Sequence, residues 1–177
     1  MAGNSSMRGR QTVRDMVLSM LAIGGVVAVG YAFMPHSEGD GVHAVEYRAA
    51  AASAKRDAPF PLLSPEGLPE KWKATSVEYR DATRAGNDGH HTWHLGFVTP
   101  SGQYAAVEQS DAPRADVLAA NVAGGSTDGS TTVDGTSWER VRGTKARALA
   151  VQSGTATTLV TGTASYEELA VLADALK

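Results

Sequence analysis

The hydrophobic positions of this chain follow three periods. From Met16 to Met34, "MVLSMLAIGGVVAVGYAFM", apolar residues run on with no charge among them. Nineteen residues at roughly 1.5 Å each make about 28 Å of helix, close to the hydrocarbon thickness of a bilayer. From Lys71 onward the apolar residues alternate with polar ones, the period of a half-buried strand. In "TWHLGFVTP" (Thr92 to Pro100), Trp93, Leu95 and Phe97 share one face, while His94, Gly96 and Val98 share the other. At the C-terminus, Leu169, Leu172, Ala173 and Leu176 recur at helical spacing.

Turn chemistry divides the alternating region into elements. "KWKATSVEYR" (Lys71 to Arg80) predicts a strand and "DATRAGNDGHH" a long polar turn. Thr99-Pro100-Ser101-Gly102 places proline second and glycine fourth, as a type I turn prefers. It joins the Thr92 strand to a return strand, Gln103 to Ser110. "APRADVLAANVAG" (Ala112 to Gly124) predicts a short helix, and "GGSTDGS" (Gly124 to Ser130) a flexible loop. Thr131 to Gly143 predicts two strands about an Asp134-Gly135 turn. Arg147 to Thr163 predicts two more about Ser153-Gly154. Ser165 and Glu168 have the spacing of a capping box at the start of the last helix. The expected fold class is α+β, with a mostly antiparallel, curved sheet and the C-terminal helix packed on one face.

Before the sheet, "PHSEGDG" (Pro35 to Gly41) reads as an exit linker. "AVEYRAAAASAKRDA" (Ala44 to Ala58) reads as a helix stopped by Pro59, either a stalk or weakly packed on the domain. Pro59 to Trp72, with four prolines, reads as an extended cover segment. The division is therefore a cytoplasmic tail (1–15), a transmembrane helix (16–34), a linker with an Ala-rich helix (35–58) and an extracytoplasmic α+β domain (59–177).

Charge sets the orientation. Up to Pro35 there are three arginines (Arg8, Arg10, Arg14) and one aspartate, a net +2. From His36 onward, 13 Lys/Arg stand against 18 Asp/Glu, a net −5. Positive charge before the apolar run predicts a single-pass protein of the cell membrane, with the N-terminus cytoplasmic and the C-terminal domain outside. A cleaved signal peptide is the competing reading. Phe33, Met34, Pro35 and His36 make a poor cleavage site, and the small-x-small stretch Val42-His43-Ala44 lies far downstream. An acidic outer part without a basic stripe argues against nucleic acid as a partner. The absence of cysteine excludes disulfides, thiolate metal sites and a cysteine nucleophile.

Candidate chemistry is sparse. "GNDGHHTWHLGF" carries His90, His91 and His94. On a strand, His91 and His94 point opposite ways, and His90 and His94 stand roughly 13 Å apart. That is too far for two ligands each about 2 Å from one zinc ion. A solvated turn with one exposed strand histidine is the expectation. The Gly-Ser pairs lack the flanks of a nucleophile elbow, and "AGGSTDGS" leads out of a helix, the wrong order for a phosphate loop. Glu167 and Glu168 suit the start of a helix. Trp72, Trp93 and Trp138 read as core anchors, with a sugar-stacking platform as the alternative. Glu78, Asp81, Glu108 and Glu139 are the carboxylates a glycosidase would need roughly 5–10 Å apart across a cleft. No residue is assigned as catalytic, cofactor-binding or metal-binding, and no cofactor is expected.

Two stretches, "GLPEKWKATSVEY" and "TWHLGFVTPSGQYAAVEQS", carry a resemblance. Gly67-Leu68-Pro69, Trp72, Thr75-Ser76, Trp93, Gly96 to Pro100 and Gln109-Ser110 fit a GLP-x-x-W-x-x-TS element, a W-x-x-GFVTP hairpin and a QS-ending strand. The chain thus resembles the small single-pass proteins of high-GC Gram-positive bacteria catalogued as domain of unknown function 4245. The resemblance covers the anchor and nearly all of the outer domain. It implies a membrane-anchored, outward-facing protein and names no chemistry. The three histidines match none of these motifs. The functional expectation is a noncatalytic binding or scaffolding module at the cell envelope. Its partner would be an envelope protein or a cell-wall component. The alternative is an envelope hydrolase or carbohydrate-active protein.

Overall fold

A computed structural model of the chain describes residues 45–86 and 88–177, together with Met16 and Met20. Met16 and Met20 are helical and exposed. The rest of the apolar run and the exit linker lie outside the described residues. Among the described residues no helix is long and apolar enough to cross a membrane.

From Val45 onward the described residues form one compact α+β unit. Its centre is an open seven-stranded sheet in the order β1-β2-β3-β7-β6-β5-β4. The strands are β1 (Lys73–Arg80), β2 (Thr92–Val98), β3 (Tyr104–Ser110), β4 (Ser126–Val133), β5 (Thr136–Arg142), β6 (Arg147–Ser153) and β7 (Ala156–Gly162). The helices are α1 (Arg48–Asp57), α2 (Arg114–Asn121) and α3 (Tyr166–Asp174). All six strand pairings are antiparallel. Short turns make this possible. Gly102 N–H donates to Thr99 O at 2.9 Å between β2 and β3. Asp134 and Gly135 both have positive φ, as a two-residue hairpin of this hand requires.

Both faces of the sheet carry a layer, one of them only in part. On one face Trp93, Leu95 and Phe97 of β2 pack with Trp72, Trp138, Leu149, Val160 and the α3 residues Leu169 and Leu172. Burying each of those two leucines stabilises the fold by roughly 1.5–3 kcal/mol. On the other face Val117 of α2 and Val122 cover Val141, Ala148, Ala150 and Leu159. Strand β7 lies under both layers, so all seven of its residues are buried. Ser165 caps α3, its Oγ accepting from Glu168 N–H at 3.3 Å. The Glu168 carboxylate does not return to the cap, because Ser101 Oγ donates to it at 2.9 Å.

One expectation changes, and two open alternatives close. Gly124 to Ser130 is largely strand, not a flexible loop: Ser126–Val133 forms edge strand β4, paired with β5 and bulged between Thr127 and Ser130. Its Asp128 and Gly129 disfavour a strand, and pairing with β5 overrides that composition. The Ala-rich helix is no stalk. Ala51 and Ala54 are buried in the main core, and Val45 N–H donates to Ala74 O at 2.9 Å. Small side chains let α1 approach closely. Finally, Trp72, Trp93 and Trp138 are all buried, so none is available as a sugar-stacking platform.

The extended segment from Pro59 to Trp72 is tied to the sheet by motif residues. Trp93 Nε1–H donates to Leu63 O at 3.1 Å. Gln109, fully buried, accepts from Leu63 N–H at 2.7 Å through Oε1 and donates to Thr158 Oγ1 at 3.0 Å. Ser110 Oγ donates to His91 O at 2.8 Å.

Candidate functional site

Helix α2 covers the β5-β6-β7 side of its face and leaves the β1-β2-β3 side open. The register brings polar residues together there. Glu78, His94 and Glu108 lie in one row across three strands, with Ser76 opposite Gly96 one step along. A bulge sets this arrangement. Ala74 pairs with Phe97 and Ser76 with the next residue, Gly96, so one extra residue, Thr75, sits in β1. In a regular strand Ala74 and Ser76 would share a face. The bulge turns Ala74 into the core and Ser76 onto the open face.

His94 is the centre of the cluster, its side chain 26% exposed. Nδ1–H donates to Glu108 Oε1 at 2.5 Å. Ionised Glu108 only accepts hydrogen bonds, so it holds the proton on Nδ1 and leaves Nε2 as the acceptor of the neutral ring. The Ser76 hydroxyl donates to Nε2 at 2.8 Å. The Tyr104 hydroxyl stands 3.5 Å from the same nitrogen. The hydrogen bond with Glu108 holds the imidazole above the ordinary histidine range, against the effect of burial, and the charges of Glu108 and Glu78 add to it. Burial pushes the Tyr104 phenol up, while a hydrogen bond with Ser76 opposes the shift.

Gly96 makes the space. A Cβ on it would stand 2.4 Å from Ser76 Oγ, 2.7 Å from Tyr104 Oη and 3.1 Å from Tyr104 Cε2. Both hydroxyls therefore meet where a side chain would otherwise sit. Between this cluster and the end of α2 lies a cleft of about 340 Å³, lined by Glu78, Arg80, Thr92, His94, Glu108, Ala120 and Asn121. A second hollow of about 310 Å³ continues along α2 and shares Thr92, Glu108, Ala120 and Asn121 with it.

The sequence expected an exposed strand histidine, and His94 is instead half-buried and bonded through both nitrogens. His90 and His91 end the turn. His91 Nδ1 is 2.8 Å from the Tyr79 hydroxyl, and His90 Nδ1 is 3.6 Å from Asp111 Oδ1. Among the described residues no group of three or more His, Asp or Glu could hold a metal ion. Of the four carboxylates singled out, Glu78 and Glu108 flank His94 on one face, their strands roughly 10 Å apart. Glu78 is engaged by Arg80 at 2.6 Å, and that bond lowers its pKa. Asp81 caps its own turn through Thr83. Glu139 pairs with Arg114 of α2. Ser76, Tyr104 and Glu108 were not assignable as a group from spacing, because their sequence separations from His94 reflect only strand register.

A model of a family described as a protein of unknown function (DUF4245) matches residues 8–176. No curated protein and no solved structure matches the chain.

Proposed function

This chain belongs to the DUF4245 family, and we propose that it is a membrane-anchored binding module of the cell envelope. Its N-terminus lies in the cytoplasm, its apolar run spans the membrane once, and its C-terminal domain faces outward. The ligand is a hydroxyl-rich cell-wall glycan, held in the cleft between β1-β2-β3 and α2. The observation that carries this reading is the composition of the cleft wall. Thr92, Asn121, Glu78 and Arg80 offer hydroxyl, amide and charged groups side by side, which suits a ligand made of alcohols. The three arginines ahead of the apolar run support the orientation.

Full-length protein in detergent, mixed with insoluble cell-wall glycan freed of protein, is expected to sediment with it. Ala120 is exposed and lines the cleft, so Ala120→Trp fills it without touching the core and leaves the protein in the supernatant. Equal sedimentation of the variant, or none of the wild type, refutes the reading. Sedimentation only with wall that keeps its proteins points to an envelope protein instead. A second reading, an envelope hydrolase, is favoured by one observation, the hydrogen-bonded line Ser76–His94–Glu108.

A further inference from the structure

We propose that Ser76, His94, Glu108 and Tyr104 form a hydrolytic centre for esters of a small acyl group carried on a polar alcohol. The inference goes beyond the binding reading and rests on it only for the nature of the alcohol. Serine hydrolysis needs a hydroxyl bonded to a base, a base oriented by an acid, and a donor for the oxyanion. The first two are present at 2.8 and 2.5 Å, with the imidazole tautomer set by Glu108. The third is the Tyr104 hydroxyl, which approaches Ser76 Oγ over Gly96 and stands 3.5 Å from His94 Nε2. Tyrosine hydroxyls serve as oxyanion donors in other enzymes. Burial keeps this phenol protonated, and so able to donate.

The alternative is that the four residues merely satisfy one another on a sheet face. Two features speak for more. The bulge that turns Ser76 onto this face puts it against His94, whose ring lines the cleft. Gly96 also keeps side-chain bulk out of the space that the attacking and stabilising atoms share. The two hydroxyls already fill the position over Gly96, which limits the acyl group to a small one, and the polar cleft lined by His94 receives the alcohol.

The chemistry balances. Ser76 Oγ attacks the ester carbonyl carbon and its proton passes to His94 Nε2. Glu108 stabilises the imidazolium, and the carbonyl oxygen, now negative, accepts from Tyr104 Oη. The bond from carbon to the alcohol oxygen breaks, and that oxygen takes the proton from Nε2. Water then attacks the acyl-serine, gives its proton to Nε2, and Ser76 leaves and regains it. The sum is ester plus water to acid plus alcohol. Nε2 must be unprotonated at the start, so the rate rises with pH through the imidazole's raised pKa. Glu108, Glu78 and Arg80 are the charged groups acting on that ring.

The test uses full-length protein in detergent at pH 8 with a fluorophosphonate probe, followed by mass analysis of the adduct. A single adduct on Ser76 is expected, together with turnover of p-nitrophenyl acetate. Ser76→Ala abolishes both. His94→Gln slows labelling at least 100-fold, and Tyr104→Phe slows turnover on the order of 100-fold. Gly96→Ala, which pushes Ser76 Oγ off Nε2, slows labelling while tryptophan fluorescence stays that of the folded protein. Wild type that is folded yet takes no adduct on Ser76 overturns the proposal, as does undiminished esterase activity in Ser76→Ala. Labelling needs no wall glycan, so it can succeed where sedimentation fails, and the two readings are separable.

Discussion

Replacing Gly162 by alanine should be among the most damaging single-methyl additions in this domain. Gly162 ends β7 in the middle of the sheet, paired with Ala105 of β3 and with Arg147 of β6. A Cβ there would stand 2.1 Å from Tyr104 O, 2.8 Å from Tyr104 C and 2.9 Å from Ala105 Cα. Ordinary contact begins near 3.4 Å, and every obstructing atom is backbone, so no side-chain rotation relieves the clash. The Tyr104 carbonyl is also pinned by Thr163 N–H at 2.9 Å and Ala164 N–H at 3.1 Å. Moving it weakens both bonds, at about 1 kcal/mol each. Overpacking adds roughly 1–3 kcal/mol, and the φ of +154° adds backbone strain of roughly 1–3 kcal/mol. Reduced freedom of the unfolded chain returns about 0.4–1 kcal/mol. The expected loss is roughly 3–7.5 kcal/mol, a large part of the roughly 5–15 kcal/mol typical of a domain. Urea unfolding followed by the fluorescence of buried Trp72, Trp93 and Trp138 measures it. A loss below about 1 kcal/mol would refute the claim that the β3–β7 seam cannot yield.

Two further predictions concern pH and topology. His94 has a folded pKa above its ordinary value, so its protonated form is favoured by folding. That stabilisation is full below the unfolded value of about 6.5 and disappears as pH rises through the folded value. The stability gap between wild type and His94→Gln, measured by urea unfolding from pH 5.5 to 9, should therefore narrow toward high pH; a gap that widens contradicts the assignment. For topology, protease added to wall-stripped cells should digest the C-terminal domain, and changing Arg8, Arg10 and Arg14 to glutamate should weaken that orientation. A C-terminal tag that stays protected until the membrane is broken would overturn both the topology and the envelope reading.

Much of the fold was legible because it rests on local chemistry. Alternation at Trp93, Leu95 and Phe97 marked the buried face of β2. Thr99 to Gly102 and Asp134-Gly135 marked two hairpins, through residue preferences acting within four positions. Ser165 marked the start of α3, and Leu169 and Leu172 its buried side. Strand β4 escaped because Ser126 to Ser130 carries no hydrophobic alternation, and only its partner β5 makes it a strand.

Within the chain, then, composition and periodicity determined the α+β class, the hairpins, the tryptophan core and the capped last helix. Each depends on neighbours a few residues apart. Tertiary structure alone decided the strand order, which inserts β7 beside β3, and the coverage of only half of one face by α2. It also decided the cluster at His94. Ser76 lies 18 residues before His94 and Glu108 lies 14 after it. Their meeting depends on the register of two strand pairs and on a one-residue bulge at Thr75. A slip of one residue in either pairing would send a member of the cluster to the opposite face, and no local pattern in the chain encodes that register.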